Sequence, residues 1–295
     1  MVKSEYIMIK FFVLSTALVA SLSIGGQGVF LVKDSTYESN SDSSTIAAQQ
    51  ASDPKALKAI MNSKKYKKAE ALVRNNLSNL NNADRAKAYN KLVDLAMVMF
   101  DDFGFDPKKT EMAFNAVAAG IECDKYDQLP DQQGIVSPKF ASNNALRLWD
   151  VPRNYLFIAG SDSFSAKKYS LARKYWQLFV ESDAVPLFKN CDRTQQRPFF
   201  GKIALFTARI AFQDKDMAKA SQLADVAMRN PEVFENALGT KIEILESLGQ
   251  NAEVKRILDS IIVKSPNSYI AWVEKGLYYL RKKQYKEVAD NLKEA

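Results

Sequence analysis

A repeat constrains this chain more than any other feature. Three segments beginning at Ile203, Ala237 and Ala271 align without gaps through their apolar positions, and their starts differ by 34 and 34 residues. They read IALFTARIAFQDKDMAKASQLADVAMRNP, ALGTKIEILESLGQNAEVKRILDSIIVKSP and AWVEKGLYYLRKKQYKEVADNLKEA. Self-similarity at a fixed period of a few tens of residues marks stacked supersecondary units, each burying its apolar face on its neighbours. Composition selects helices for those units. With 11 glycines and 9 prolines in 295 residues, the chain is short of the turn formers that an all-β or loop-rich fold needs. Hydrophobic residues at 47% and charged residues at 25% suffice for a packed core with a solvated surface.

The composition also removes function classes. No histidine is present, which excludes Ser-His and Cys-His catalysis, His-ligated metals, and the commonest acid-base side chain near pH 7. The net charge is +7, from 41 basic and 34 acidic residues, carried by scattered lysines without a basic block interleaved with aromatics. Nucleic acid is therefore not an expected partner.

The spacing and slots of the three segments resemble the tetratricopeptide repeat, TPR, a helix-turn-helix unit. Trp272, Gly276, Tyr279, Tyr285 and Ala295 match the family pattern in the last segment, Leu245, Leu248, Gly249 and Pro266 in the middle one, and Ala208, Ala220, Ala227 and Pro231 in the first. Ile242, Val254 and Val288 depart from it by replacing small crossing residues. Small residues belong where two helices cross closely, and bulky ones such as Trp272 and Leu292 fill gaps between repeats. Upstream, Tyr66 and Tyr169 look like the first residues of second helices, with Gly160 nine places before Tyr169 as Gly276 is before Tyr285. Ala113 to Val117 is another candidate, after a long helix from about Asp84 to Phe103. The resemblance implies an all-α TPR-type solenoid, an α-α superhelix of about six helical pairs. Residues 53–200 would be degenerate repeats with insertions at 124–142 and 183–197, and residues 201–295 three regular repeats. The phrases CDKYDQLPDQQGIVSPK and SDAVPLF are similar to exported TPR proteins of the Bacteroidetes, over Lys64 to Ala295.

The amino terminus points to export. Phe11 to Ile24 is an apolar run of 14 residues after Lys3 and Lys10 and before Gly25, Gly26 and Gly28. This is the layout of a signal peptide, residues 1–28, and the run is short for a membrane span. Left uncleaved, it would be the chain's one membrane attachment. Residues 29–52, rich in Ser, Asp and Asn, read as a linker that cannot bury enough to order itself. The expected location is the periplasm or cell envelope of a Gram-negative bacterium.

Candidate chemistry is sparse. Cys123 and Cys191 are the only cysteines. A disulfide between them would close a loop of about 68 residues and contribute about 3 to 4 kcal/mol; the alternative is two separate reduced thiols. Asp101, Asp102 and Asp106 lack the calcium-loop spacing, and a helix cap at Asp106 before Pro107 accounts for them. No cofactor, metal or catalytic residue is expected.

In the TPR family the first helix of each pair lines a concave groove for an extended peptide or partner helix. The matching positions are Lys202, Leu205, Phe206, Arg209, Phe212 and Gln213, then Asn236, Thr240, Glu243, Glu246 and Ser247, then Ile270, Val273, Glu274, Leu277, Leu280 and Arg281. Leu205 and Arg209 stand where the family's carboxylate clamp has lysine and asparagine, which disfavours a chaperone-tail receptor. The expectation is a non-enzymatic scaffold binding a protein or peptide through this groove, aided by the two insertions, with its carboxyl-terminal face covered by further repeats or a partner. The alternative, a glycan-binding envelope protein on TPR-like helices, would need surface aromatics, and offers Tyr126, Phe140 and Phe188.

Overall fold

Helix is the only regular structure among the described residues of this computed structural model, which are 51–102, 107–131 and 133–294. The expected export signal and nearly all of the expected linker lie outside them, as does the turn at 103–106. Helices pack as neighbouring pairs: α1 (Pro54–Met61) with α2 (Tyr66–Asn76), α3 (Asn82–Asp102) with α4 (Pro107–Asp127), and α6 (Pro152–Ser165) with α7 (Tyr169–Ser182). Then come α8 (Arg197–Gln213) with α9 (Met217–Ala227), α10 (Phe234–Ser247) with α11 (Asn251–Lys264), and α12 (Tyr269–Arg281) with α13 (Tyr285–Glu294). One further helix, α5 (Ala141–Trp149), precedes the third pair. No described helix is long and apolar enough to cross a membrane.

Local chemistry starts the array. The Asp53 carboxylate accepts the Lys55 N–H at 2.8 Å, with Pro54 as the first helical residue, so α1 opens on a side-chain cap and a preset backbone angle. The last residue assigned to the linker, Ser52, is already tied down, its Oγ accepting the Asn81 N–H at 3.0 Å.

The 34-residue period reappears in the backbone. Lys167, Lys215, Gly249 and Lys283 each have φ between 58° and 70°, and each lies two residues before the second helix of its pair. At these four turns the next residue's N–H reaches back five places: Lys168 to Ser163 O, Asp216 to Ala211 O, Gln250 to Leu245 O and Gln284 to Tyr279 O, at 2.8 to 3.0 Å. The left-handed residue itself donates three places back, so each first helix ends in a Schellman motif that satisfies its last carbonyls. Glycine is the usual choice there, yet three of the four are lysine. The last three turns are 34 residues apart, and the α6–α7 turn uses the same geometry.

Side-chain size sets how closely each pair crosses. A Cβ on Gly160 would stand 2.2 Å from Trp176 Cδ1, so the indole lies flat across the glycine backbone. At the matching site of the last pair, a Cβ on Gly276 would be 3.0 Å from Leu292 Cδ2. Ala208 and Ala224 hold the equivalent places in α8–α9, both fully buried. Ile242 and Leu258 hold them in α10–α11, the loosest of the last three pairs. The substitution of Ile242 for a small residue is thus accommodated by separation of the helices.

Each insertion anchors a few residues in the fold, while 133–139 stay at the surface, Ile135 59% and Val136 52% exposed. Residues 124–127 finish α4, and the Asp127 carboxylate then accepts the N–H groups of Lys139 and Phe140, both at 2.7 Å, to deliver the chain into α5. In the second insertion a 3-10 turn, Pro186–Phe188, buries Leu187 and Phe188. The second insertion packs on the end of α5, where Trp149 donates to Asp192 O at 3.0 Å and its ring lies 5.3 Å from that of Phe188. Both cysteines are nonetheless free: Cys123 is buried with its Sγ donating to Ala86 O, and Cys191 is half-buried. The permitted bridge is absent from this structure.

Two apolar clusters result. The larger runs from Ala56 to Ile244, and a second, smaller one comprises Leu238, Ile242, Leu245, Val254, Leu258 and Tyr278.

Candidate functional site

The expected groove positions divide into a filled part on α8 and an open part on α10 and α12. On α8, Leu205 is only 5% exposed, so its assignment to the groove is corrected: it is core. Phe206 is half-buried, with its ring 5.7 Å from Phe164 and 6.3 Å from Trp176. Phe212, expected to be exposed, is half-buried against the larger cluster. Arg209 Nε donates to Thr240 Oγ1 at 3.2 Å, and Thr240, itself buried, donates to Asn236 O at 2.8 Å. Thr240 therefore links helices and has no free face. Lys202 remains at the surface, paired with Glu232 at 3.0 Å.

The open part is acidic and apolar. Glu235, Glu243 and Glu246 are spaced by eight and three residues on α10, which brings them to one helical face. Glu246 is paired with Arg281 at 2.9 Å and with Lys282 at 3.9 Å. Glu235 and Glu243 have no ion-pair partner among the described residues. Glu274 of α12 leans over Gly239, where an added Cβ would lie 3.6 Å from its Oε1. Burial pushes the Glu274 carboxyl above the ordinary carboxylate range, Arg281 opposes that, and the charges of Glu235, Glu243 and Glu246 add to it. One turn on stands Leu277, then Leu280, 39% and 46% exposed. Glu274, Leu277 and Arg281 follow a three- and four-residue spacing, so they share this face. Ile270 and Val273 are half-buried at its edge, Ile270 against the smaller cluster.

Sequence reasoning named Glu243 and Glu246 but overlooked Glu235. The signal was available: three glutamates at helical spacing in FENALGTKIEILES. Among the described residues no group of three or more His, Cys, Asp or Glu side chains is placed to hold a metal ion. The glutamates lie along the face without converging.

Other surfaces are less suited to a ligand. A cavity of about 670 Å³ is lined by Asp183, Arg193, Phe200, Val226 and Arg229 among others. Arg193 is committed there to Asp183 Oδ1 and to the carbonyls of Asp183, Phe188 and Cys191. A second of about 590 Å³ includes Lys241, whose ammonium is held by Ser221 Oγ and Asp225, each at 2.7 Å. The aromatics considered for glycan binding are also occupied: Phe188 is fully buried, and Tyr126 stacks on Tyr89 at 5.7 Å with Arg85 against its ring. Tyr126 and Phe140 are both half-buried. No protein-family model matches the chain, and no curated protein is similar to it.

Proposed function

We propose that this protein is a non-enzymatic, exported TPR-type scaffold of a Gram-negative cell envelope that binds a segment of another protein. The binding face is the inner surface of α10 and α12 rather than the whole row of first helices. The observation that carries this reading is the exposure of Leu277 and Leu280 on a helix face that also presents charged groups. An isolated exposed leucine is ordinary, but two on one stripe beside carboxylates lacking partners match the anchors and rim of a peptide groove. Recurrence of one Schellman turn at the 34-residue period supports the TPR architecture.

Site-specific photo-crosslinking tests this. A photoreactive residue replaces Leu277 in one full-length variant and Ser260, exposed on α11, in another, and each is expressed in its native envelope. A discrete protein adduct from position 277 and none from 260 is the expected result. Equal labelling at both positions, or none at 277, overturns the binding face.

A further inference from the structure

We infer that the segment held by the α10–α12 face is cationic and apolar, with lysine or arginine side chains flanking two apolar anchors. This rests on the groove reading proposed above and adds the chemistry of the partner to it.

The argument begins with charge that the fold leaves uncompensated. The chain as a whole is +7, so an acidic patch does not follow from its composition. On this face four glutamates meet three cations: Arg281 and Lys282 pair with Glu246, Arg281 also acting on Glu274, and Arg209 is held by the Thr240 hydroxyl. Glu235 and Glu243 have no ion-pair partner among the described residues. Glu274 is half-buried beside them, where an ionised carboxylate is costly unless a cation approaches. A metal ion is a poor candidate for that cation, because the carboxylates are not placed to converge on one. Cations carried at intervals on a chain fit the spacing better.

The apolar half is particular to the last pair. The residues equivalent to Leu277 at the 34-residue period are Glu243 and Arg209, and those equivalent to Leu280 are Glu246 and Phe212. Earlier in the array these places hold charge or fill the core; here they hold exposed leucines. Leu277 follows Glu274 by one helical turn on the same face, and Glu243 is near enough to act on the Glu274 carboxyl. An occupant must therefore cover apolar surface and meet negative charge within one helical turn, as a basic amphipathic segment does.

Fluorescence anisotropy on the full chain tests the charge and the anchors separately. Three labelled peptides of equal length are compared, one of leucine and lysine, one of leucine and glutamate, one of serine and lysine. The leucine–lysine peptide is expected to bind about tenfold tighter than either of the others. Glu243→Gln with Glu274→Gln should weaken it about tenfold, with helicity by circular dichroism unchanged, and raising salt from about 50 to about 300 mM should do likewise. Leu277→Ser with Leu280→Ser should weaken it independently. Equal binding of the leucine–glutamate peptide, or no effect of the glutamine pair, overturns the cationic inference while leaving the groove intact. No effect of the serine pair on any peptide overturns the groove reading itself.

Discussion

The α6–α9 and α10–α13 halves of the repeat array share one turn and differ in how they are closed. In both, a first helix ends on a left-handed residue and the second begins two places later. Across α6–α9 the space between helices is packed with rings: Trp176 lies on Gly160 and donates to Phe157 O at 3.2 Å, Phe164 and Phe206 join it through ring contacts of 5.3 to 6.3 Å, and Phe157 packs on Phe179 at 5.8 Å. Below them Arg153, wholly buried, donates to Ser182 Oγ at 2.7 Å, to Phe179 O at 3.0 Å and to Gln196, and its guanidinium lies 4.1 and 4.3 Å from the rings of Trp149 and Phe179. Across α10–α13 there is no such filling. Leu258 is sealed by its neighbours, but Leu292, its equivalent 34 residues on, is 49% exposed, as are Leu277 and Leu280 to similar degrees. Backbone grammar sets where helices turn, and side-chain bulk sets whether a face is shut.

Substitutions can break this contrast. The largest effect is expected for Arg153→Ala, which leaves Gln196 Oε1 without its donor, strips one hydrogen bond each from Ser182 Oγ and Phe179 O, and opens a void between two rings. A loss of about 3 to 5 kcal/mol is expected, read as a lowered midpoint in urea. An unchanged midpoint would mean that the arginine does not organise the closed half.

A matched pair of glycine substitutions sharpens the comparison. Gly160→Ala drives a methyl into an indole fixed by its own hydrogen bond and by neighbouring rings, and should cost about 1 to 3 kcal/mol. Gly276→Ala meets only the end of Leu292, which can swing into solvent, so the helix-propensity gain of about 0.5 to 1 kcal/mol should prevail. Thermal unfolding should move down for the first and level or up for the second. Equal losses would show that the two crossings are equally tight.

The smallest effect concerns Glu274. Its folded carboxyl titrates above its unfolded value, so between those two values the native state holds more protons and stability falls as pH rises. Above that window the ionised carboxylate is a fixed cost; below it the cost disappears. Glu274→Gln should therefore raise the melting temperature slightly at pH 7, and the gain should fade as pH falls below the unfolded carboxylate value. A gain that persists in acid would assign the effect to packing instead of charge.

Much of the fold was legible in advance. Second helices begin at Tyr66 and Tyr169 as the sequence pattern anticipated, and α3 covers nearly the span expected for the long helix. Ala113, by contrast, lies six residues inside α4, because that helix already begins at Pro107, at the end of the GFDP turn signal of 104–107. Helix α5 was not anticipated as a separate element; it starts within the last two residues of the stretch read as an insertion, where two backbone N–H groups captured by Asp127 fix its entry from twelve and thirteen residues away. The site was legible in register but not in depth. Glu243, Leu277 and Leu280 are exposed as their positions implied and Glu246 is half-buried in its ion pairs, whereas Leu205, Phe206 and Phe212 turn inward to meet rings and apolar residues of other helices. Periodicity along one helix tells which residues share a side; it carries no information on whether a neighbour arrives to cover that side.

The sequence by itself determined the helices, their turns and their 34-residue spacing, because capping, left-handed termination and helical periodicity act over a few residues. Tertiary structure alone decided which inner positions stay open and which glutamates lack partners. Those outcomes depend on Gly160 admitting Trp176, on Ile242 holding α10 and α11 apart, and on Arg281 reaching Glu246, contacts between residues 16 to 35 places apart whose distances only packing can set.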